Sequence, residues 1–300
     1  MSTQDSTVRF GLVGTGFWAR EVHARGVQAH PGSELGGVWG RDPGRTESLA
    51  GDLGVAAHAD FDELVASVDA LAFAVPPDVQ APLAVRAARA GRHLLLEKPV
   101  ALDAATADEV VAAADAGGVS SVVFFTERFV PEREAWLQGL AERDCRGGRA
   151  VWLASLKTPD NPFAHSPWRQ EHGGLWDVGP HALSVLLPVL GPVVDVAGAQ
   201  GEADLVHLVL THESGATSTA HLSLTMPPAA TQAGLSFYDE DGWYDRPEVE
   251  GDAVKAHTLA VGELVDAVRA GRSDHRCDVR FGAEVVRVLE RAQRVVGRHV

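Results

Sequence analysis

Val8-Arg9-Phe10-Gly11-Leu12-Val13 runs directly into Gly14-Thr15-Gly16-Phe17-Trp18-Ala19, and a helix-forming stretch follows from Arg20 to Ala29. The apolar run has the length and composition of a buried strand. In Gly14-x-Gly16-x-x-Ala19 the first glycine permits a tight turn, the second lets backbone approach a pyrophosphate, and the small Ala19 lets helix and strand pack closely. The amides at the helix N-terminus then face the phosphates. Glycine is common here, 31 of 300 residues, so the pattern draws its weight from its place between first strand and first helix. The alternative is an ordinary tight βα turn.

The alternation continues outward. An apolar run from Leu35 to Trp39, a helix from Pro43 to Leu53, a strand from Ala70 to Val75 and a helix from Val79 to Ala90 come first. A strand from His93 to Leu96, a helix from Ala104 to Ala116 and a β-rich run from Ser120 to Phe125 follow. Strands that alternate with helices imply parallel βαβ units, so residues 1–126 read as a doubly wound, dinucleotide-binding Rossmann domain of the α/β class. After Arg128 the pattern changes. A helix at Pro131 to Glu142, a strand at Ala150 to Lys157 and a polar loop through Gly174 precede a helix at Val178 to Val189. Four β-like runs, at 193–199, 205–211, 216–224 and 234–238, predict an open, largely antiparallel sheet, and helices at 254–270 and 281–296 end the chain. Residues 127–300 thus read as a second, α+β domain.

Composition narrows the function. The chain is long enough for two ordinary domains, and 45% hydrophobic against 22% charged residues is a globular balance. Its 26 basic and 41 acidic residues give a net charge of −15, which excludes broad nucleic-acid binding and attraction to an anionic membrane surface. Small-molecule chemistry is what remains. Cys145 and Cys277 have no Cys or His partners at metal-site spacing, so both are read as reduced thiols and no metal site is expected. Met1 to Thr7 has no basic or apolar targeting region, and the most apolar stretch, Ala182 to Val194, is too short to span a bilayer. A cytoplasmic protein is expected.

Three further motifs carry chemistry. An acid at the end of the second strand, about 20 residues past the glycines, would bond the ribose hydroxyls of NAD. This chain has Gly40-Arg41-Asp42 there, and Glu34 sits at the other end of the strand. Arg41, with Arg45 one turn into the next helix, is placed to meet a 2′-phosphate, which favours NADP; Asp42 reaches a ribose only if the strand runs on by a residue or two. Leu94-Leu95-Leu96-Glu97-Lys98-Pro99 puts two charges at the carboxyl end of a buried strand, the edge where open α/β sheets bind ligands. Only three of the 26 basic residues are lysines, Lys98, Lys157 and Lys255, so a lysine at this point suggests a need for a compact ammonium. The alternative is a strand-end ion pair. In Gly173-Gly174-x-x-Asp177-x-Gly179-x-His181, Asp177 and His181 share a face if the region is helical. Pro180 is tolerated only in a first turn, which places the helix start near Asp177 as N-cap. An imidazole there can exchange a proton with a hydroxyl while the carboxylate orients it; the alternative is a capping Asp beside a half-buried His.

Together these motifs resemble the Gfo/Idh/MocA oxidoreductases, the relatives of glucose–fructose oxidoreductase and inositol dehydrogenase. The matching features run in the family's order: Gly14 to Ala19, Ala74-Val75-Pro76-Pro77, Glu97-Lys98-Pro99, Arg128, Trp168-Arg169, and the Gly-Gly, Asp177 and His181 signature. The resemblance covers nearly the whole chain and is strongest over residues 8–192. It implies an NADP- or NAD-dependent dehydrogenase or reductase acting on a CH–OH group of a sugar, cyclitol or related carbonyl compound. It further implies that Lys98 holds the reacting oxygen and touches the nicotinamide side, that His181 is the general acid/base, and that Asp177 is its partner or a substrate ligand. Gly14, Thr15, Gly16, Phe17, Trp18, Arg41, Pro76 and Glu97 would line the cofactor, and Trp168 and Arg169 would reach toward the nicotinamide from a loop. The second domain would bind substrate and use its open sheet to form a homodimer or homotetramer. Two other readings stay open: an NAD-retaining, glycoside-cleaving enzyme of the same family, and a non-catalytic sensor of nucleotide or sugar. The chain departs from the family at Gln80, where histidine is frequent, and at Ser184, where aspartate is; both are expected on the rim of the site.

Overall fold

The computed structural model describes residues 7–297 except 157, 159, 160, 162, 164 and 165. Contacts divide the chain into two compact units, Met1–Phe129 with Gly251–Ala283, and Val130–Glu250 with Glu284–Val300. The sequence places residues 127–300 in the second domain, whereas in the structure Gly251–Ala283 goes with the first unit.

In the first unit six parallel strands form sheet A: β1 (Val8–Val13), β2 (Ser33–Trp39), β3 (Ala56–His58), β4 (Ala70–Phe73), β5 (His93–Leu96) and β6 (Ser121–Val123). Their order, β3-β2-β1-β4-β5-β6, is the doubly wound Rossmann order, whose crevice lies at the carboxyl ends of β1 and β4. The central strands are apolar on both faces because helices cover both: Phe10, Leu12, Leu71, Phe73, Leu94, Leu95 and Leu96 are all 0% exposed. Burying one such side chain contributes roughly 1.5–3 kcal/mol. The crossovers are a π-helical segment (Ala19–Ala24) continuing as α1 (Arg25–Ala29), then α2 (Pro43–Leu53), α3 (Phe61–Ala66), α4 (Pro77–Arg89) and α5 (Ala104–Gly117). Asp42 starts α2 by accepting from the Arg45 amide at 3.0 Å, and Asp103 starts α5 by accepting from the Thr106 amide at 2.8 Å. A late helix, α9 (Ala253–Arg269), packs on α1, β5 and β6 and completes this unit.

The second unit holds α6 (Pro131–Ala141), β7 (Gly147–Leu153), α7 (Pro167–Asp177), α8 (Gly179–Leu190) and a run of strands. These are β8 (Val193–Gln200), β9 (Val206–His212), β10 (Thr217–Ser223), β11 (Gln232–Asp239) and β12 (Gly242–Asp245). Sheet B has the order β12-β11-β7-β10-β9-β8 and is antiparallel except for β7 with β10. A crossover that includes α7 and α8 separates those two strands in sequence, and such a connection permits parallel pairing. β9 alternates strictly: Val206, Leu208 and Leu210 are buried while His207 and Val209 are exposed. The buried face carries α7, α8 and the later turns of α10 (Val279–Val296), where Leu289 lies at Gly179 and Val296 at Gly198. The predicted strand at Ala150 to Lys157 begins three residues earlier and ends at Leu153; Lys157 falls outside the described residues. No helix among the described residues is long and apolar enough to cross a membrane.

Candidate active site

The glycine turn is built for close backbone approach. Gly14 has φ +124°, a conformation that favours glycine, and a Cβ there would lie 2.5 Å from the Ala74 carbonyl oxygen. Its amide donates to the Trp39 carbonyl at 2.8 Å, which ties the turn to the end of β2. At Gly16 a Cβ would meet nothing within 4 Å, so open space lies over the backbone where helical turns begin. A cavity of about 320 Å³ is lined by Gly14, Thr15, Gly16, Arg41, Arg45 and Pro76, among others. Its size, its glycine floor and its arginine rim suit the phosphate and ribose part of a dinucleotide.

At the ribose end β2 stops at Trp39, and Gly40 follows without a side chain. Asp42 is taken up as the N-cap of α2 and pairs with Arg45 at 3.8 Å, so its carboxylate serves the helix rather than extending the strand edge. Glu34, at the far end of β2, is bound to Arg9 at 3.1 Å. Arg41 and Arg45 are both exposed beside the cavity.

Glu97 and Lys98 follow β5 directly, and the Lys98–Pro99 peptide is cis. The Glu97 carboxylate accepts from the Trp18 indole nitrogen at 2.7 Å and from His23 Nε2 at 2.9 Å. Because an ionised carboxylate only accepts, the His23 proton sits on Nε2. The sequence places Trp18 against cofactor; in the structure its indole N–H donates to Glu97. Behind His23 lies His257 of α9, ring centroids 4.2 Å apart. Burial and the His23 ring hold the His257 imidazole well below its ordinary pKa, so it stays uncharged.

Gln80 is fully buried and not on a rim. Its Nε2 donates to the Glu97 carbonyl at 2.8 Å and the Pro99 carbonyl at 3.2 Å, and its Oε1 accepts from the Glu97 amide at 2.8 Å. One side chain thus fixes the backbone on both sides of Lys98. Replacing Gln80→Leu strands the buried Glu97 amide and the carbonyls. We expect a loss of roughly 2–4 kcal/mol in chemical denaturation, at about 1–3 kcal/mol per abandoned group; an unchanged midpoint would remove Gln80 from this role.

In the second unit, Trp168 and Arg169 lie in the first turn of α7 rather than in a loop, with Ser166 as N-cap and Pro167 at the first helical position. Arg169 Nε donates to Asp177 Oδ2 at 2.9 Å, and its guanidinium lies 4.2 Å above the Phe163 ring. Asp177 does not cap a following helix: it ends α7, and α8 starts at Gly179 after the single residue Val178. His181 sits in the first turn of α8, its ring stacked on Trp152 of β7 at 5.2 Å with planes 22° apart. Ser184 is buried, its hydroxyl donating to the His181 carbonyl at 2.8 Å.

The bend that sets this region is at Gly173, φ +61°, and the carboxylate of Asp204 holds it. Asp204 lies in the β8–β9 turn and accepts from the amides of Gly174 and Leu224, each at 2.8 Å, from the Ser223 hydroxyl at 2.7 Å, and from the Thr225 hydroxyl. Burial alone would raise its pKa, but these four donors together hold it below the usual carboxylate range.

The structure therefore gathers Gly14, Thr15, Gly16, Arg41 and Pro76 around one cavity and places Trp18 on Glu97, next to Lys98. In the other unit it joins Arg169 to Asp177 and sets His181 four residues beyond the end of α7. Sequence reasoning missed His23, Trp152, His257 and Asp204. Only His23 carried a local signal, its place in the helix that follows the glycine turn.

Residues 8–125 match the profile of the Gfo/Idh/MocA oxidoreductase family, NAD-binding Rossmann fold. The chain is 30% identical to inositol 2-dehydrogenase of Rhizobium meliloti over 223 residues, 70% of this chain and 66% of that enzyme, just under two thirds of its length. In three dimensions it resembles UDP-N-acetylglucosamine 3-dehydrogenase GnnA from Acidithiobacillus ferrooxidans, with 22% identity, a TM-score of 0.84, and coverage of 97% of this chain and 98% of that one. It also resembles the WlbA dehydrogenase from Bordetella pertussis in complex with NADH and UDP-GlcNAcA, with 21% identity, a TM-score of 0.82, and coverage of 99% and 97%. The glycine turn, the strand order and the sequence match agree, and residues 8–125 belong to the Gfo/Idh/MocA oxidoreductase family, with its NAD-binding Rossmann fold.

Proposed function

We propose that this protein is an NADP-preferring dehydrogenase or reductase acting on a hydroxyl or carbonyl group of a sugar, cyclitol or similar polyol. The observation that carries the reading is the glycine-floored cavity followed, at the end of β5, by a lysine whose backbone is fixed on both sides by Gln80. A relative that acts on inositol favours a polyol substrate. The nicotinamide, when bound, supplies or accepts the hydride. Lys98 holds the reacting oxygen with its ammonium, and Glu97, anchored by Trp18 and His23, lines the cofactor's side. His181 gives or takes the hydroxyl proton, its ring plane set by Trp152; Asp177, clamped by Arg169, binds substrate or steadies the imidazole. A spectrophotometric screen of NADP and NAD against sugars, inositols and their keto forms tests this. Turnover with at least one polyol or ketose is expected; nucleotide binding without turnover across the panel would favour a sensor.

The preference for NADP follows from the ribose end. The carboxylate beyond β2, Asp42, lines the cavity but caps α2 and lies beside Arg45, and Arg41 lines the same cavity. Arg41→Ala is expected to weaken NADP binding roughly 10–100-fold, the worth of one charge-assisted hydrogen bond, and to leave NAD binding nearly unchanged. Equal losses for both nucleotides in a fluorescence titration would contradict the assignment.

We also propose assembly as a homodimer or homotetramer through the open face of sheet B, where Val194 and Val209 are 52% and 48% exposed. Light scattering should give more than one chain per particle at micromolar concentration; a monomer contradicts it.

A further inference from the structure

Sheet B carries a pair of imidazoles that the proposed reaction does not use. His207 on β9 and His221 on β10 are direct partners in the antiparallel ladder, so both side chains leave the same face about 4.5–5.5 Å apart at Cβ. It is the outer face, because Leu208 and Leu222, their neighbours in sequence, point inward and are buried. The two Nδ1 atoms approach to 2.5 Å, with ring centroids 4.8 Å apart and planes at 69°.

At that distance one Nδ1 carries a proton and the other offers its lone pair; two protonated rings would repel at contact. Moving the shared proton to Nε2 of its own ring leaves two neutral nitrogens with their lone pairs converging on one point. A divalent transition-metal ion with metal–nitrogen bonds of about 2.0–2.1 Å and a ligand angle of roughly 90–110° needs the nitrogens about 2.9–3.4 Å apart. The rings reach this by parting less than about 1 Å, a small rotation for side chains on an open face.

The surroundings do not oppose a cation. Across the ladder His207 faces Ala199 and His221 faces Val151, neither of them charged. Arg149, two residues from Val151, is turned away: its Nε donates to the Ser236 hydroxyl at 3.0 Å and its guanidinium lies 5.1 Å over the Trp243 ring. His212, by contrast, has both nitrogens committed, to the Gly191 carbonyl and the Ser218 hydroxyl. Among the described residues no group of three or more His, Cys, Asp or Glu is placed to hold a metal. The histidine pair is a different kind of site, with two protein ligands.

We propose that His207 and His221 together bind one divalent transition-metal ion of the Zn²⁺, Ni²⁺ or Cu²⁺ class, at a point on the outer face of sheet B that the proposed assembly leaves open, its remaining coordination positions being left to water. The test is equilibrium dialysis of the full, untagged chain, in whatever assembly it adopts, against Zn²⁺ and then Cu²⁺. A double variant, His207→Gln with His221→Gln, and each single variant run in parallel, and circular dichroism and nucleotide binding check the fold. The wild type should hold one more metal ion per chain than the double variant, with Cu²⁺ bound more tightly than Zn²⁺, and each single variant should lose affinity on the order of tenfold or more. Equal metal binding by wild type and double variant overturns the proposal, as does a double variant that loses only thermal stability, the mark of a pair that merely bridges two strands.

Discussion

Lys98→Met is expected to lower kcat by roughly 10²–10⁴-fold, the usual worth of a positioned proton-handling or charge-stabilising group, while leaving nucleotide binding measurable. Methionine keeps the length and much of the volume of lysine but has no charge and no donor. Lys98 sits at the carboxyl edge of sheet A, the edge where Rossmann sheets bind ligands, and its flanking backbone is fixed by Gln80. Its loss should therefore remove chemistry rather than structure. Lys98→Arg should not rescue, because a planar guanidinium does not reproduce a compact ammonium. Steady-state turnover beside a nucleotide titration separates the two effects; unchanged kcat would take Lys98 out of the mechanism.

Asp204→Ala is the largest expected stability effect outside the core. It abandons the amides of Gly174 and Leu224, and about 1–3 kcal/mol for each buried donor gives a loss of roughly 2–5 kcal/mol. A fall in Tm of the order of 10 °C follows for a domain of this size. Because Gly173 and Gly174 set the bend before Asp177 and His181, kcat should fall with stability even at temperatures where the variant is folded. The pH dependence has a definite sign. The folded pKa of Asp204 lies below that of a free carboxylate, so its contribution is present above about pH 4, the unfolded value, and is lost as pH falls through the folded value. The stability difference between wild type and Asp204→Ala should therefore shrink in acid. A constant difference from neutral pH down to acid unfolding would contradict this.

Sheet A was legible because its information is local. Apolar runs without polar interruption, a glycine turn and capping aspartates each act within a few residues, and α2 begins and ends where its periodicity indicated. β3 and α3 were missed: β3 has three residues at an edge and α3 only six. The region before Gly174 looked like a loop because glycine and polar residues dominate it. The signal overlooked was Ser166-Pro167, a cap followed by a proline at the first helical position.

In the sequence Asp177 reads as an N-cap because Pro180 demands a first turn, and that requirement is met. The helix it opens begins at Gly179, so Asp177 belongs to the helix before, where Arg169 reaches it from two turns back. The return of Gly251–Ala283 to the first unit, and the arrival of His257 against His23, depend on contacts across more than two hundred residues. No period or cap encodes those. The same holds for Asp204, which reads in sequence as one more acid in a turn and becomes structural only when Gly174 and the end of β10 meet around it.

The most direct measurement is a titration of the purified chain with NADP and with NAD, followed by intrinsic fluorescence or calorimetry. The expected result is saturable binding of both, NADP the tighter, with the difference removed by Arg41→Ala. Absence of binding to either nucleotide at millimolar concentration would contradict the assignment of this site.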